Sequence, residues 1–407
     1  MIERTLQNGL KIVAERRENT KLAVFNILYK VGSRNEHLGK TGLAHFLEHL
    51  MFEGSKSYPS FDRAVHSIGG ENNAFTTNDY TNYYQIVPSD NIRTALLLEA
   101  DRMKNLNLTK RAFNNQKKVV IEEFKETHLN APYGEHWHKL SDMMYRGHYY
   151  EWPVIGKAIS EVENVSYDDI IQFYKTYYSP SNAVISIVGG IDEEKAVDEI
   201  AAIFEPIAAS AIEPLSTSLL PDSIQTYQLC KEEVPSNVFY AATYSPMRFE
   251  QNFYTADLFC DVLSNGENAI LHQKLVKQEK LLSEVDAYLS ATIDTGILVI
   301  EGKMNDHVAL HQVRDSIQSI LEHYIQNGVE SKILENVKNK AISYGYFSNY
   351  HLVNHANNLA FFATYDQAVN MKKEGDFYGA VSESQMNQYI REVFSKQEMG
   401  WLEYQKK

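Results

Sequence analysis

The strongest chemical signal in the sequence is a cluster of three residues, His45, Glu48 and His49, in the run His-Phe-Leu-Glu-His. Residues three and four apart share one face of a helix. Two neutral imidazoles on such a face suit Zn²⁺, and a zinc site with an open position lowers the pKa of its water to roughly 7. A carboxylate beside that position can take the remaining proton. This is the chemistry of peptide hydrolysis, and His-x-x-Glu-His is the inverted form of the zinc-protease signature. A third protein ligand is still required. The downstream run Val119 to Phe124 offers Glu122 and Glu123 among apolar residues, and spacing does not choose between them.

Other candidate groups are weaker. The pairs His307/His311 and His351/His355 have no carboxylate between their members and read as surface or core histidines. His136 and His138 diverge on a helix. Cys230 and Cys260 have no histidine signature beside them and read as buried thiols, a usage that fits a reducing compartment. Neither a G-x-x-x-x-G-K-[ST] phosphate loop nor a G-x-S-x-G elbow occurs, so nucleotide hydrolysis and serine esterase chemistry lack their parts.

The elements that must position the cluster follow from pattern. Residues 42–51 read as a helix whose Leu43, Ala44, Phe46, Leu47, Leu50 and Met51 can face a core. Before it come a hairpin turning at Asn8-Gly9 and a strand over 22–31. After it come a helix over 61–67, strand-forming residues over 73–87, helices over 92–106 and 111–129, and a buried strand over 183–188. Residues 205–223 hold three of the ten prolines and four serines without a clear period, the pattern of a linker. Beyond it the rhythm repeats, with a strand at 238–244, a helix at 254–264, strands at 285–292 and 296–303, then long helices. The expected fold class is α+β, with two homologous mixed α/β domains at 1–210 and 224–407 joined by a linker at 211–223.

Composition bounds the partners. The 407 residues carry a net charge of −14, which disfavours a nucleic-acid surface and could steer basic peptides. No segment is long and apolar enough to span a membrane; the stretch 183–191 is short and contains Ser186, Gly189 and Gly190. The N-terminal residues lack the pattern of a secretory leader, so the expected location is the cytoplasm, or the periplasm had a leader been removed.

Several segments resemble, in order, the pitrilysin or insulinase-type metallopeptidases, a family that includes mitochondrial processing peptidase. GLAHFLEHLMFEGS (Gly42 to Ser55) is similar to the family's zinc-binding helix, and GGENNAFTTNDYTNYY (Gly69 to Tyr84) to its substrate-binding strand region. QKKVVIEE (Gln116 to Glu123) is similar to the helix that supplies the distal glutamate; WPVIG (Trp152 to Gly156) and YYSPSNAVISIVGGID (Tyr177 to Asp192) complete the match. The resemblance covers about residues 1 to 200, and the rest at the level of architecture.

The resemblance implies one Zn²⁺ per chain held by His45, His49 and Glu123, with Glu48 as general base. It implies that Asn73, Ala74, Phe75 and Thr76 form an edge strand to which a peptide substrate adds by backbone pairing. Gln116 stands where many relatives have a second acidic residue supporting the site, a departure for which Glu122 is the candidate to compensate. It further implies the sheet-and-helix domains of the processing-peptidase-like metallohydrolases, two of which make half of a clamshell. Active relatives also carry an Arg and a Tyr that grip the substrate carbonyl, in a stretch corresponding to 275–283. Here Val276 and Ser283 take those places, with Lys277, Lys280 and Tyr288 as stand-ins. The expectation is therefore a zinc-bearing endopeptidase subunit, paired with a homologous partner that supplies the Arg/Tyr pair, acting on short or unfolded peptides. The alternative is a non-catalytic scaffold or assembly subunit of the same fold, or a peptide-binding protein.

Overall fold

Runs of β-branched and aromatic residues, LAVFNILY, TNYYQIVP and AVISIVG, form the centre of a six-stranded sheet. The computed structural model describes residues 1–212, 215, 218–290 and 292–407. The strands are β1 (Ile2–Thr5), β2 (Lys11–Arg16), β3 (Leu22–Tyr29), β4 (Glu71–Thr76), β5 (Thr81–Pro88) and β6 (Ala183–Gly189). Their spatial order is β1-β2-β6-β3-β5-β4, with β2 and β6 parallel and every other pair antiparallel. Strand β4 is an edge.

Helices α1 (Leu43–Met51), α2 (Phe61–Ser67), α3 (Ile92–Asn105) and α4 (Lys110–Phe124) follow the expected places. The helix expected over 111–129 is α-helical to Phe124 and then widens into a π turn, Lys125–Leu129. Alternate residues Phe25, Ile27 and Tyr29 of β3 and Ile185 and Ile187 of β6 share one core with Phe46, Leu47 and Leu50 of α1 and Phe113, Val120 and Phe124 of α4.

The second sheet contains β7 (Tyr227–Glu232), β8 (Val238–Ser245), β9 (Leu282–Leu289), β10 (Gly296–Met304) and β11 (Gly400–Lys406), in the order β7-β11-β8-β10-β9. Only β7 and β11 are parallel. Leaving β1 aside, order and directions repeat those of the first sheet strand for strand. The two mixed α/β domains expected from the sequence rhythm share one topology.

The compact units are not contiguous in the chain. One comprises Met1–Glu126, Trp152–Thr217 and Tyr346–Lys372; the other comprises Thr127–Glu151, Ser218–Gly345 and Lys373–Lys407. Relative to the contiguous division at 210 and 224, the segments 127–151 and 346–372 are exchanged. The linker expected at 211–223 spans the division after residue 217, and residues 213, 214, 216 and 217 of it lie outside the described residues. The exchange has a physical reason. Each sheet has a second apolar face, and an exchanged helix covers it. In the first unit the helix Leu352–Thr364 lies on Val13, Val24, Leu28, Val184 and Val188, all fully buried. In the second, the helix His136–Tyr145 packs Leu140, Met143 and Met144 against Val238, Val299 and Leu402.

A charged cluster fastens the first of these helices. Glu15 of β2 lies 3.4 Å from His355 Nε2 and 3.0 Å from Lys372 Nζ, and the Arg17 guanidinium lies 2.8 Å from His355 Nδ1. Burial raises the Glu15 carboxyl, but its hydrogen bonds and charge interactions with His355 and Lys372 outweigh this and bring it down to about 2. His355, one of the bare histidine pairs, is thus occupied as a core residue. A depressed carboxylate stabilises fully above pH 4.5 and ceases to do so as pH falls toward 2. Glu15→Gln is therefore expected to lower stability at neutral pH by at most about 3 kcal/mol. The gap from wild type should close as pH is lowered through that window, as measured by denaturant unfolding at a series of pH values.

Candidate active site

Helix α1 begins at Gly42, whose φ of +87° is left-handed and where a Cβ would stand 2.7 Å from the Ile155 carbonyl oxygen. Gly42 offers no side chain to cap the helix, and a distant acid does so instead. The Gly42 and Ala44 N–H groups donate to Glu36 Oε2 and Oε1, each at 2.8 Å, and Trp152 Nε1–H donates to Oε2 at 3.2 Å. Glu36 is buried, which pushes its carboxyl up to about 8 against the pull of these three donors. The same loop holds the turn after β4, since the Ser33 and Arg34 N–H groups donate to the Thr77 and Asn78 carbonyls. One short segment thereby ties α1 to β4.

The apolar residues of α1 are buried, leaving His45, Glu48 and His49 half-buried on the remaining face. Helix α4, whose first turn is capped by Thr109, packs against α1 through Phe113 and Phe46, with ring centroids 5.2 Å apart. This contact delivers Glu123. Its Oε1 lies 3.7 Å from His45 Nε2 and its Oε2 lies 3.3 Å from His49 Nε2. One donor atom from each of the three residues falls within 4.8 Å of the others, the only such histidine and acid cluster among the described residues. Two imidazole nitrogens and a carboxylate oxygen are a donor set that fits zinc. Spacing alone leaves Glu122 and Glu123 open; Glu122 is the exposed one, paired with Lys125 at 2.6 Å. The roughly 100° turn between successive helical residues carries Glu122 away from the cluster, so it does not compensate for Gln116.

Electrostatics within the cluster are strong. Burial raises the Glu48 carboxyl; the hydrogen bond from Thr76 and the His49 charge oppose this, while Glu123 adds to it. Burial lowers the His49 imidazole, but Glu123, then Glu48 and Gln116, outweigh it, so the net shift is upward. Thr76 Oγ1 donates to Glu48 Oε2 at 2.5 Å, joining the edge strand to the helix. The rest of the expected substrate strand lies on β4. Ala74 packs against the core, Asn73 is exposed, and the Phe75 ring meets Tyr80 edge-on at 6.0 Å. The Ala74 N–H is taken up by Asn73 Oδ1. Gln116 Nε2 donates to Glu53 Oε1 at 2.7 Å.

Sequence reading passed over Glu36 and Glu53. Glu53 follows His49 by four residues, a spacing that could have drawn attention to it; nothing in the spacing of Glu36 does so. In the second unit, Val276 packs partly against the core, the Ser283 hydroxyl reaches the Lys303 carbonyl, and Tyr288 Oη donates to Glu301 at 2.8 Å. Burial pushes up both free thiols, Cys230 and Cys260.

Residues 11–157 match the family described as insulinase (peptidase family M16), and residues 164–341 match the peptidase M16 inactive domain. The zinc protease PqqE of Helicobacter pylori is 30% identical over 342 residues, covering 82% of this chain and 77% of that protein. The chain belongs to peptidase family M16. The fold of an M16 half recurs in the crystal structure of a protease from Helicobacter pylori, with a TM-score of 0.92, 24% identity and 99% of both chains covered. It recurs also in the periplasmic protease PqqL from Escherichia coli, with a TM-score of 0.83 and 16% identity, where it spans 99% of this chain but 47% of that one. Among the described residues, no helix of this M16 chain is long and apolar enough to cross a membrane.

The capping role of Glu36 has a measurable consequence. Glu36→Ala leaves the Gly42 and Ala44 N–H groups without their acceptor, and a buried unsatisfied group costs about 1–3 kcal/mol. A loss of roughly 2 kcal/mol or more is expected in denaturant unfolding, whereas Glu122→Ala, which breaks an exposed ion pair, should change stability by no more than about 1 kcal/mol.

Proposed function

We propose that this M16 chain is a zinc-dependent endopeptidase for short or unfolded peptides, the zinc-bearing subunit of a pair. The carrying observation is the convergence of His45, His49 and Glu123 beside Glu48, itself hydrogen-bonded to the edge strand. His45, His49 and Glu123 would hold the zinc. When bound, zinc supplies Lewis acidity that brings the pKa of water down to about 7 and polarises a carbonyl.

The chain's own residues do the rest. Glu48 accepts the proton of the attacking water and returns it to the leaving amine, and its upward-shifted pKa suits a carboxyl that must hold a proton for part of the cycle. The Thr76 hydroxyl fixes Oε2, which leaves Oε1 for that transfer. The β4 backbone at Asn73, Ala74, Phe75 and Thr76 would bind an extended peptide as an added strand, so affinity comes from main-chain hydrogen bonds and tolerates many sequences. Oxyanion stabilisation is assigned to a homologous M16 partner, because the 275–283 stretch has Val276 and Ser283 in place of Arg and Tyr. PqqL, about twice as long as this chain, supports pairing of two such halves.

The test measures zinc content and cleavage of an unstructured peptide for the wild type and for Glu48→Gln. Glu48→Gln should retain one zinc per chain and lose cleavage by roughly 10²- to 10⁴-fold. Wild-type protein without zinc overturns the reading. Zinc without cleavage, alone or with a homologous M16 partner, favours the scaffold alternative. Full cleavage by the chain alone, unchanged by a partner, removes the division of labour.

A further inference from the structure

Three large aromatic side chains in one short stretch stand almost bare in water: Tyr346 is 74% exposed, Phe347 76% and Tyr350 86%. Tyr346 and Phe347 lie in the last turn of the helix Ser331–Ser348, and the Tyr350 N–H donates to the Phe347 carbonyl at 3.2 Å. Single exposed apolar residues are ordinary, whereas several together mark an interaction surface. The stretch is held in place. Asn354 and Asn358, one turn apart on the helix Leu352–Thr364, donate back to Ser348 Oγ at 3.3 Å and to Asn349 Oδ1 at 2.9 Å. The same helix stands beside the edge of the first sheet. Asn82 of β5 donates to Asn357 Oδ1 at 3.2 Å. The Phe361 ring lies 5.5 Å from that of Tyr80, which in turn lies 6.0 Å from that of Phe75 on β4. Residues 346–372 and β4 belong to one compact unit.

Permanent charge is missing here. Residues 341–365 contain no Asp, Glu, Lys or Arg, in a chain whose net charge is −14. What the surface offers instead is Tyr, Phe, Ser and Asn. Aromatic rings give a large contact area and lose few rotamers on binding, and Ser and Asn adapt their hydrogen bonds, the mixture that sequence-tolerant binding surfaces use. We propose that Tyr346, Phe347 and Tyr350 form a recognition surface for apolar and aromatic side chains of an unfolded peptide, holding the part that runs beyond β4. The occupant is a peptide because side chains tie this stretch to the pair β4–β5, whose open edge offers backbone pairing. Backbone pairing on β4 is nearly indifferent to side chains. The aromatic surface adds a preference for segments that a folded protein would bury. The proposal rests on the peptide-binding reading of β4.

The experiment measures peptide binding to the full chain carrying Glu48→Gln, so that no cleavage intervenes, by fluorescence anisotropy. Two unstructured peptides share their length and central sequence; one has Phe and Leu in its flanks, the other Ser and Gly. The first should bind roughly tenfold more tightly. Adding Tyr346→Ala, Phe347→Ala and Tyr350→Ala together should remove that preference, and Phe347→Ala alone should reduce it. The three side chains are exposed, so melting should change little; where the triple variant melts earlier, Phe347→Ala alone decides. A preference that survives these substitutions overturns the proposal. A dimer of unsubstituted chains that the triple variant turns into a monomer assigns the surface to a second copy of the chain, and that also overturns it. If neither peptide binds, the peptide-binding reading of β4 fails and this proposal fails with it. If both bind equally, only the aromatic surface loses its role.

Discussion

Burial of the apolar face of α1 is the constraint from which the site follows. Leu43, Ala44, Phe46, Leu47, Leu50 and Met51 are taken from water by the sheet and by α4, and each large side chain so buried contributes about 1.5–3 kcal/mol. Once that face is committed, the helix has no freedom to rotate. His45, Glu48 and His49 must occupy the opposite face, and the Phe46–Phe113 contact decides which residues of α4 they meet. The polar groups are placed by apolar packing, and the Glu36 cap fixes where the helix begins.

The repeated topology shows how specialised this placement is. In the first sheet α1 lies between β3 and β4 in the chain; the corresponding helix of the second, Gln251–Ser264, lies between β8 and β9. That helix buries Phe253, Tyr254, Leu258, Phe259, Cys260, Val262 and Leu263, and it has no histidine. The same scaffold therefore exists once with a chemical face and once without. This accords with the match of residues 164–341 to the M16 inactive domain.

The site also concentrates opposing charges in a partly desolvated space. Burial raises Glu48 and repulsion from Glu123 adds to it, while Glu123 and Glu48 draw His49 upward against its burial. A cation placed among His45, His49 and Glu123 relieves that repulsion, the same physical demand that makes the donor set suitable for zinc. Glu53, reached through Gln116, adds a further negative charge near the cluster without entering it.

Much of this was legible in the sequence because it is local. The helical spacing of His45, Glu48 and His49, the apolar residues between them and the β-forming runs depend on neighbours a few positions apart. Periods of 3.6 and 2 reveal such patterns. Three matters depend on contacts between residues far apart in the chain, which residue spacing does not decide and tertiary structure does, although the family resemblance already names Glu123. Glu123 and Glu122 are equivalent in spacing until the packing of α4 on α1 turns one toward the histidines. Glu36 and Glu53 look like ordinary surface acids until their partners at Gly42, Ala44, Trp152 and Gln116 are known. The helices His136–Tyr145 and Leu352–Thr364 leave the contiguous domains because the second face of each sheet needs an apolar cover. Burial of a face is a demand of the whole sheet, and no window of sequence records which distant helix will meet it.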